Sequence, residues 1–170
     1  GYNAGGGTWA NAASNYNVAI GNYTMDDALN GALYNMAMGY GALGALTSGD
    51  SNVALGHGAG SAITTGGNNI IIGRGAGDAY TALEGTVLIG HYAGSAINNN
   101  NSNYSVMIGY NAGISVTSGT GNNLIGHYAG RYLSTNAYNT MFGHEVGQYM
   151  NGSSNTFIGY ASGWKVSSGT

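Results

Sequence analysis

Asn52-Val-Ala-Leu-Gly-His-Gly-Ala-Gly60, Asn69-Ile-Ile-Ile-Gly-Arg-Gly-Ala-Gly77 and Thr86-Val-Leu-Ile-Gly-His-Tyr-Ala-Gly94 are successive renderings of one phrase. Self-similarity at a short, fixed period marks a solenoid before any other reading. The glycine after the apolar run serves as an anchor, at Gly21, Gly39, Gly56, Gly73, Gly90, Gly109, Gly126, Gly143 and Gly159. A truncated copy stands at Gly1-Tyr-Asn-Ala-Gly5. The commonest step is 17 residues, as from Gly39 to Gly56. That is too short for the helix pair of the common helical repeats.

The apolar run is three residues long, rich in Val and Ile, and bounded by Asn and Gly, which is strand chemistry. The expected fold is all-β: a parallel β-solenoid (β-roll or β-helix) of about ten coils over residues 1–170, a single domain. Each coil is expected to hold two short strands and two turns. No linker or composition shift interrupts the copies, and their regular ends lead us to expect a segment of a longer fibre, or a subunit stacked end to end.

Strand alternation assigns the columns. One before the anchor stand Ile20, Met38, Leu55, Ile72, Ile89, Ile108, Ile125, Phe142 and Ile158; three before it, the series from Val18 to Val106 gives way to Asn123, Thr140 and Thr156. Seven after it come Leu46, Ile63, Tyr80, Ile97, Val116, Leu133 and Met150. These three columns are expected inside, with Ala three after the anchor filling the narrow part of the coil. The column two before the anchor then points outward, and from Ile71 through Leu88, Met107, Leu124, Met141 and Phe157 it is an apolar stripe. A stripe of that length is expected to be buried between identical chains, with a cyclic trimer as the closure. Four before the anchor sit Asn17, Asn35, Asn52, Asn69, Asn122, Asn139 and Asn155, expected to stack as a hydrogen-bonded amide ladder.

Composition excludes several functions. Three basic residues and six acidic ones in 170 leave no basic footprint for nucleic acid. No eighteen-residue apolar run is present, so no membrane insertion is expected. The absence of cysteine removes disulfides and thiolate metal sites. The calcium-binding nonapeptide of β-rolls is missing. His127 and His144 fall on neighbouring coils and are weak metal candidates, without an accompanying carboxylate column. Paired carboxylates are likewise missing from neighbouring coils, so neither an enzyme nor a cofactor is expected. Thr47, Thr64, Thr81 and Thr117 share a column, but Leu29, Asn98 and Ser134 interrupt it, which speaks against a flat ice-binding face. Tyr23, Tyr92, Tyr128, Tyr132 and Tyr149 are candidates for contact with a cell-surface glycan, or equally for packing between subunits.

Asn35-Met-Ala-Met-Gly-Tyr-Gly-Ala-Leu43, Ser105-Val-Met-Ile-Gly-Tyr-Asn-Ala-Gly113 and Asn155-Thr-Phe-Ile-Gly-Tyr160 resemble repeats of bacteriophage tail fibres and related surface proteins. They are also similar to the repeat of trimeric autotransporter adhesin heads, which wind as left-handed parallel β-rolls with shorter coils. The resemblance covers the whole chain. It implies a left-handed, trimeric rod, extracellular, serving as a virion appendage or on a cell surface. The function it implies is the shaft or receptor-contacting segment of a tail fibre that attaches to a host. The alternative is a bacterial surface adhesin or extracellular filament subunit of the same build.

Overall fold

The computed structural model describes residues 1–7, 12–98 and 103–166. Among these residues nine three-residue strands pair in chain order as one parallel sheet. They are β1 (Val18–Ile20), β2 (Met36–Met38), β3 (Val53–Leu55), β4 (Ile70–Ile72), β5 (Val87–Ile89), β6 (Val106–Ile108), β7 (Asn123–Ile125), β8 (Thr140–Phe142) and β9 (Thr156–Ile158). The chain is a parallel β-solenoid, and no helix occurs among the described residues. Register is strict: Ala54 pairs with Ile71, Ile71 with Leu88, and Leu88 with Met107. The longer step from Gly90 to Gly109 keeps that register, so its extra residues are taken up outside the strands. The truncated copy at 1–5 joins as a partial coil without a strand, through Tyr23 N–H to the Tyr2 carbonyl at 2.9 Å.

Among the described residues each coil holds one strand rather than the expected two. The cause lies in the backbone. Residues five before, two after and four after the anchor adopt the left-handed conformation in coil after coil, as at Tyr34 (φ 59°), Gly41 (φ 62°) and Leu43 (φ 48°). Three such corners turn the chain too often for a second extended run. Single inter-coil bonds still continue around the turns, as from Gly58 N–H to the Tyr40 carbonyl (2.8 Å) and Gly60 N–H to the Ala76 carbonyl (2.9 Å). Side chains contribute too: the Thr47 and Thr64 hydroxyls donate to the carbonyls of Thr64 and Thr81.

The anchor itself must be glycine for two independent reasons. Its φ lies near +135°, as at Gly56 and Gly73, where a side chain is strained whatever the space around it. A Cβ on Gly56 would also stand 2.7 Å from the Gly73 carbonyl oxygen of the next coil.

The faces of the strands are the reverse of those expected. Ala37, Ala54, Ile71, Leu88, Met107, Leu124 and Met141, two before the anchor, are 0 % exposed within a single chain. Phe157 packs against the same core. This stripe is the interior wall of the coil, so its burial needs no partner. The columns one and three before the anchor point outward instead. A three-residue strand apolar throughout fits either assignment by alternation alone, and in the structure its central residue takes the room inside the coil. That room is occupied from the opposite wall by Leu46, Ile63, Tyr80, Ile97, Val116, Leu133 and Met150, all buried as expected. Ala42, Ala59, Ala76, Ala93, Ala112 and Ala129 fill the narrow end.

The inward side chain is matched to the residue six positions on. Ile71, Leu88, Met107, Leu124, Met141 and Phe157 are each followed by glycine there, and a Cβ at Gly94, Gly113, Gly130 or Gly163 would collide with its own coil's large side chain. Where the inward residue is only Ala19 or Ala37, that position carries Met25 or Leu43, both buried. Ala54 departs from the exchange, being followed by Gly60, and there the space is taken by Ile63 of its own coil and by Leu43 and Ile71 of the coils on either side. In the other coils core volume is conserved between the two columns, as close packing demands.

The asparagine column closes the coils of Asn17, Asn35, Asn52, Asn69 and Asn122 across their width. Asn52 Nδ2 donates to Asn35 Oδ1 of the preceding coil (3.0 Å) and to the Gly66 carbonyl (2.9 Å). Its own Oδ1 accepts from the N–H of Asn69 and, at 2.8 Å, from Asn69 Nδ2. The same amide-to-amide rung links Asn17 to Asn35, and Asn122 through Asn139 to Asn155, although Asn139 and Asn155 donate their second N–H to carbonyls two residues back. Thr86 and Ser105 interrupt it, taking over backbone N–H bonds: Thr86 donates its N–H to Asn69 Oδ1, and Ser105 Oγ accepts from Asn122 N–H. A buried amide left unpaired costs about 1–3 kcal/mol, so each rung fixes the register of its neighbours.

Candidate functional site

Three outward features are presented by this scaffold. The first is the outer face of the sheet. Its columns run through Ile20 (50 % exposed), Met38 (48 %), Phe142 (56 %) and Ile158 (69 %), with the central members half-buried. The face is apolar along nearly its whole length, becoming polar only in one column at Asn123, Thr140 and Thr156.

The second feature runs beside it, one residue after the anchor. His91, Tyr110, His127, His144 and Tyr160 stack as an unbroken ladder with ring centroids 4.7–5.5 Å apart and planes within 23° of parallel. Strict coil register places the rings one over another. His127 and His144 are the closest pair, at 4.7 Å and 17°. Ring nitrogens offer their lone pairs in the ring plane, so stacked imidazoles present them side by side rather than converging on one ion. Among the described residues no group of three or more His, Cys, Asp or Glu side chains is placed to hold a metal. Nδ1 of His91 and of His127 is buried without a hydrogen-bond partner, beneath the edge-on rings of Tyr92 (4.2 Å) and Tyr128 (4.0 Å).

The third feature is a corner on the last coils. Tyr132 and Tyr149 stack at 4.7 Å, and Trp164 meets Tyr149 edge-on at 5.5 Å, with planes 85° apart. The indole is held by a hydrogen bond from Nε1 to Gln148 Oε1 (2.8 Å). Tyr149, Trp164 and Lys165 line a cleft of about 260 Å³. The Arg131 guanidinium lies over Tyr128 (4.2 Å) and Tyr132 (5.0 Å). Both contacts are cation–π interactions.

The five tyrosines singled out from sequence therefore separate into two columns. Tyr23, Tyr92 and Tyr128 occupy left-handed corners two after the anchor, and Tyr92 and Tyr128 lean on the histidines beside them. Only Tyr132 and Tyr149 belong to the cleft corner. Trp164 and Arg131 were not legible as members, because they stand five after the anchor and the tyrosines six, while Lys165 shares the tyrosine column but not its aromatic character. A column-by-column reading keeps apart residues that the turn brings together. Of the carboxylates, Asp50 accepts from Leu33 N–H (2.7 Å), while Glu84 accepts from Gly67 N–H (3.0 Å) and Asn68 Nδ2 (2.8 Å). They tie one coil to another. No protein-family model matches the chain, and comparison with curated proteins and with solved structures finds no match.

Proposed function

We propose that this chain is a structural attachment protein: the shaft or receptor-contacting segment of a trimeric, extracellular tail fibre that adheres to a host-cell surface. The observation that carries the reading is the outward apolar face of the nine-strand sheet. At ordinary strand spacing it is a strip roughly 40 Å long, and about 13 Å wide when the neighbouring ring ladder is included. Soluble monomers seldom expose a contiguous apolar strip of this extent. Three such strips, meeting as the walls of a triangular prism, would set each sheet about 4 Å from the axis. That is close to half the ~10 Å separation of packed sheets. The face that serves is the one formed by the columns beside the inward stripe, so the trimer rests on different residues from those the sequence nominated. Few charges, and a backbone bonded from coil to coil, suit a stiff rod outside the cell.

Sedimentation at micromolar concentration tests the reading. The native chain is expected to sediment as a trimer, and Ile89→Lys, in the middle of the outward face, as a monomer with unchanged circular dichroism. Labelled trimer is expected to decorate the surface of susceptible bacteria. A native monomer would overturn the proposal, and so would association that Ile89→Lys leaves intact.

A further inference from the structure

The cleft corner on the last coils has a chemistry distinct from the rest of the surface. Two aromatic planes stand almost at right angles there, one as floor and one as wall, and both are about half exposed (Tyr149 47 %, Trp164 48 %). The wall is fixed by the bond to Gln148, and the floor is backed by Tyr132. A rigid L of this kind, with a volume near 260 Å³, is small beside the pockets of about 300–1,000 Å³ that take drug-sized ligands. It matches a single flat ring with one apolar face. Sugar rings have that shape, presenting C–H groups on one face and hydroxyls at the rim.

Charge narrows the class. The chain is acidic overall, with a net charge of −3 and only three basic residues, yet two of those three are Arg131 and Lys165. Lys165 lines the cleft itself. Arg131 lies two coils away, about 10 Å along the axis at ordinary strand spacing. Its guanidinium is oriented by two tyrosine rings and makes no ion pair among the described residues. An arginine stacked on aromatic faces keeps its N–H edge free for a carboxylate or sulfate. The two cations are separated by a distance that two linked sugar rings span.

The geometry points to a binding site for an acidic oligosaccharide, with one sugar ring in the Tyr149–Trp164 cleft, its acid group on Lys165, and a neighbouring acid group on Arg131. This inference rests on the attachment reading above and names the chemistry of the surface it contacts.

Trp164 is its own reporter. The chain has two tryptophans, so a Trp9→Phe background leaves the cleft indole alone. Fluorescence is titrated with digalacturonate and sialyllactose, and with galactobiose and lactose as matched neutral sugars. At least one acidic sugar is expected to give a saturable change, with its neutral match weaker by about tenfold or more, the size of one lost charge-assisted hydrogen bond. Arg131→Gln and Lys165→Gln should each weaken digalacturonate, which carries two acid groups, by a similar factor, whereas sialyllactose, which carries one, should respond to Lys165→Gln. Tyr149→Ala should abolish either response. Circular dichroism and sedimentation of the same samples confirm that the rod is intact. Equal affinity for acidic and neutral sugars, indifference to Tyr149→Ala, or no saturable response to either acidic sugar would overturn the inference. A trimer without a sugar response removes this site alone, whereas a native monomer removes the fibre reading whatever the sugars do.

Discussion

At the scale of single residues, two glycines of one coil separate two uses of the amino acid. Gly56 sits at φ 135° with the next coil's carbonyl 2.7 Å from where a Cβ would be. Gly58 sits at φ 67° with nothing within 4 Å of that position. Ala161 occupies the equivalent left-handed corner of the last coil at φ 50°. Gly58→Ala should therefore cost about 1–2 kcal/mol, the ordinary penalty for a left-handed L-residue. Gly56→Ala should cost distinctly more, because the strain is greater and the coils must also part locally. Urea denaturation of the two variants checks the order, and equal losses would mean the coils separate easily. The anchor was legible in the sequence for this physical reason: no other residue fits it. The left-handed corners were less so, because Tyr, Asn, Ser, Glu and Ala all serve there alongside glycine.

At the scale of the coil, the exchange of volume between two columns is a packing rule that can be tested directly. Leu124→Ala should cost about 2–5 kcal/mol, as for other buried leucines cut back to alanine. The space it vacates adjoins Gly130, whose added Cβ would lie 2.9 Å from Leu124 Cδ1. The coil of Ala37 and Leu43 already uses the opposite arrangement, with Leu43 left-handed at φ 48° and fully buried. Gly130→Leu alone should destabilise by overpacking, while Leu124→Ala with Gly130→Leu should be more stable than the sum of the singles. Strict additivity in denaturation would show that the two positions do not share a space. The same pairing explains what sequence reading missed. Val53-Ala-Leu55 and Ile70-Ile-Ile72 are apolar on both faces, so alternation carries no sign of which is inside. The informative signal was the pairing of Ala19 with Met25 and Ala37 with Leu43, and of large residues with Gly, six positions apart, with Ala54 and Gly60 as the exception. The outward columns admit Asn123 and Thr140, whereas the inward column never turns polar.

At the scale of the whole molecule, stability rests on packing and backbone bonds rather than charge, and burial of two groups, Asp78 and Tyr80, makes it depend on pH. Burial raises the Asp78 carboxyl above its ordinary value, against a smaller lowering by a backbone hydrogen bond. A raised carboxyl binds its proton more tightly folded than unfolded, so acidification through that window favours the folded rod, and the gain fades as pH climbs. Burial likewise raises the Tyr80 phenol above 10.0. Unfolded chains then release this proton first, and stability falls as pH rises past 10. The aromatic corner was half legible because its tyrosines repeat and its cations do not. Tyr80 was placed inside by periodicity alone, from the Ile63 and Ile97 that flank it in the column. Folding free energies of the native chain and of Tyr80→Phe, measured by urea denaturation between pH 7 and pH 11, isolate its share. Above pH 10 the native value should drop relative to the variant by up to about 1.4 kcal/mol per pH unit, the limit for one proton. A difference that stays constant across that range would mean the phenol ionises as readily folded as unfolded, and that the interior of the coil is not dry at Tyr80.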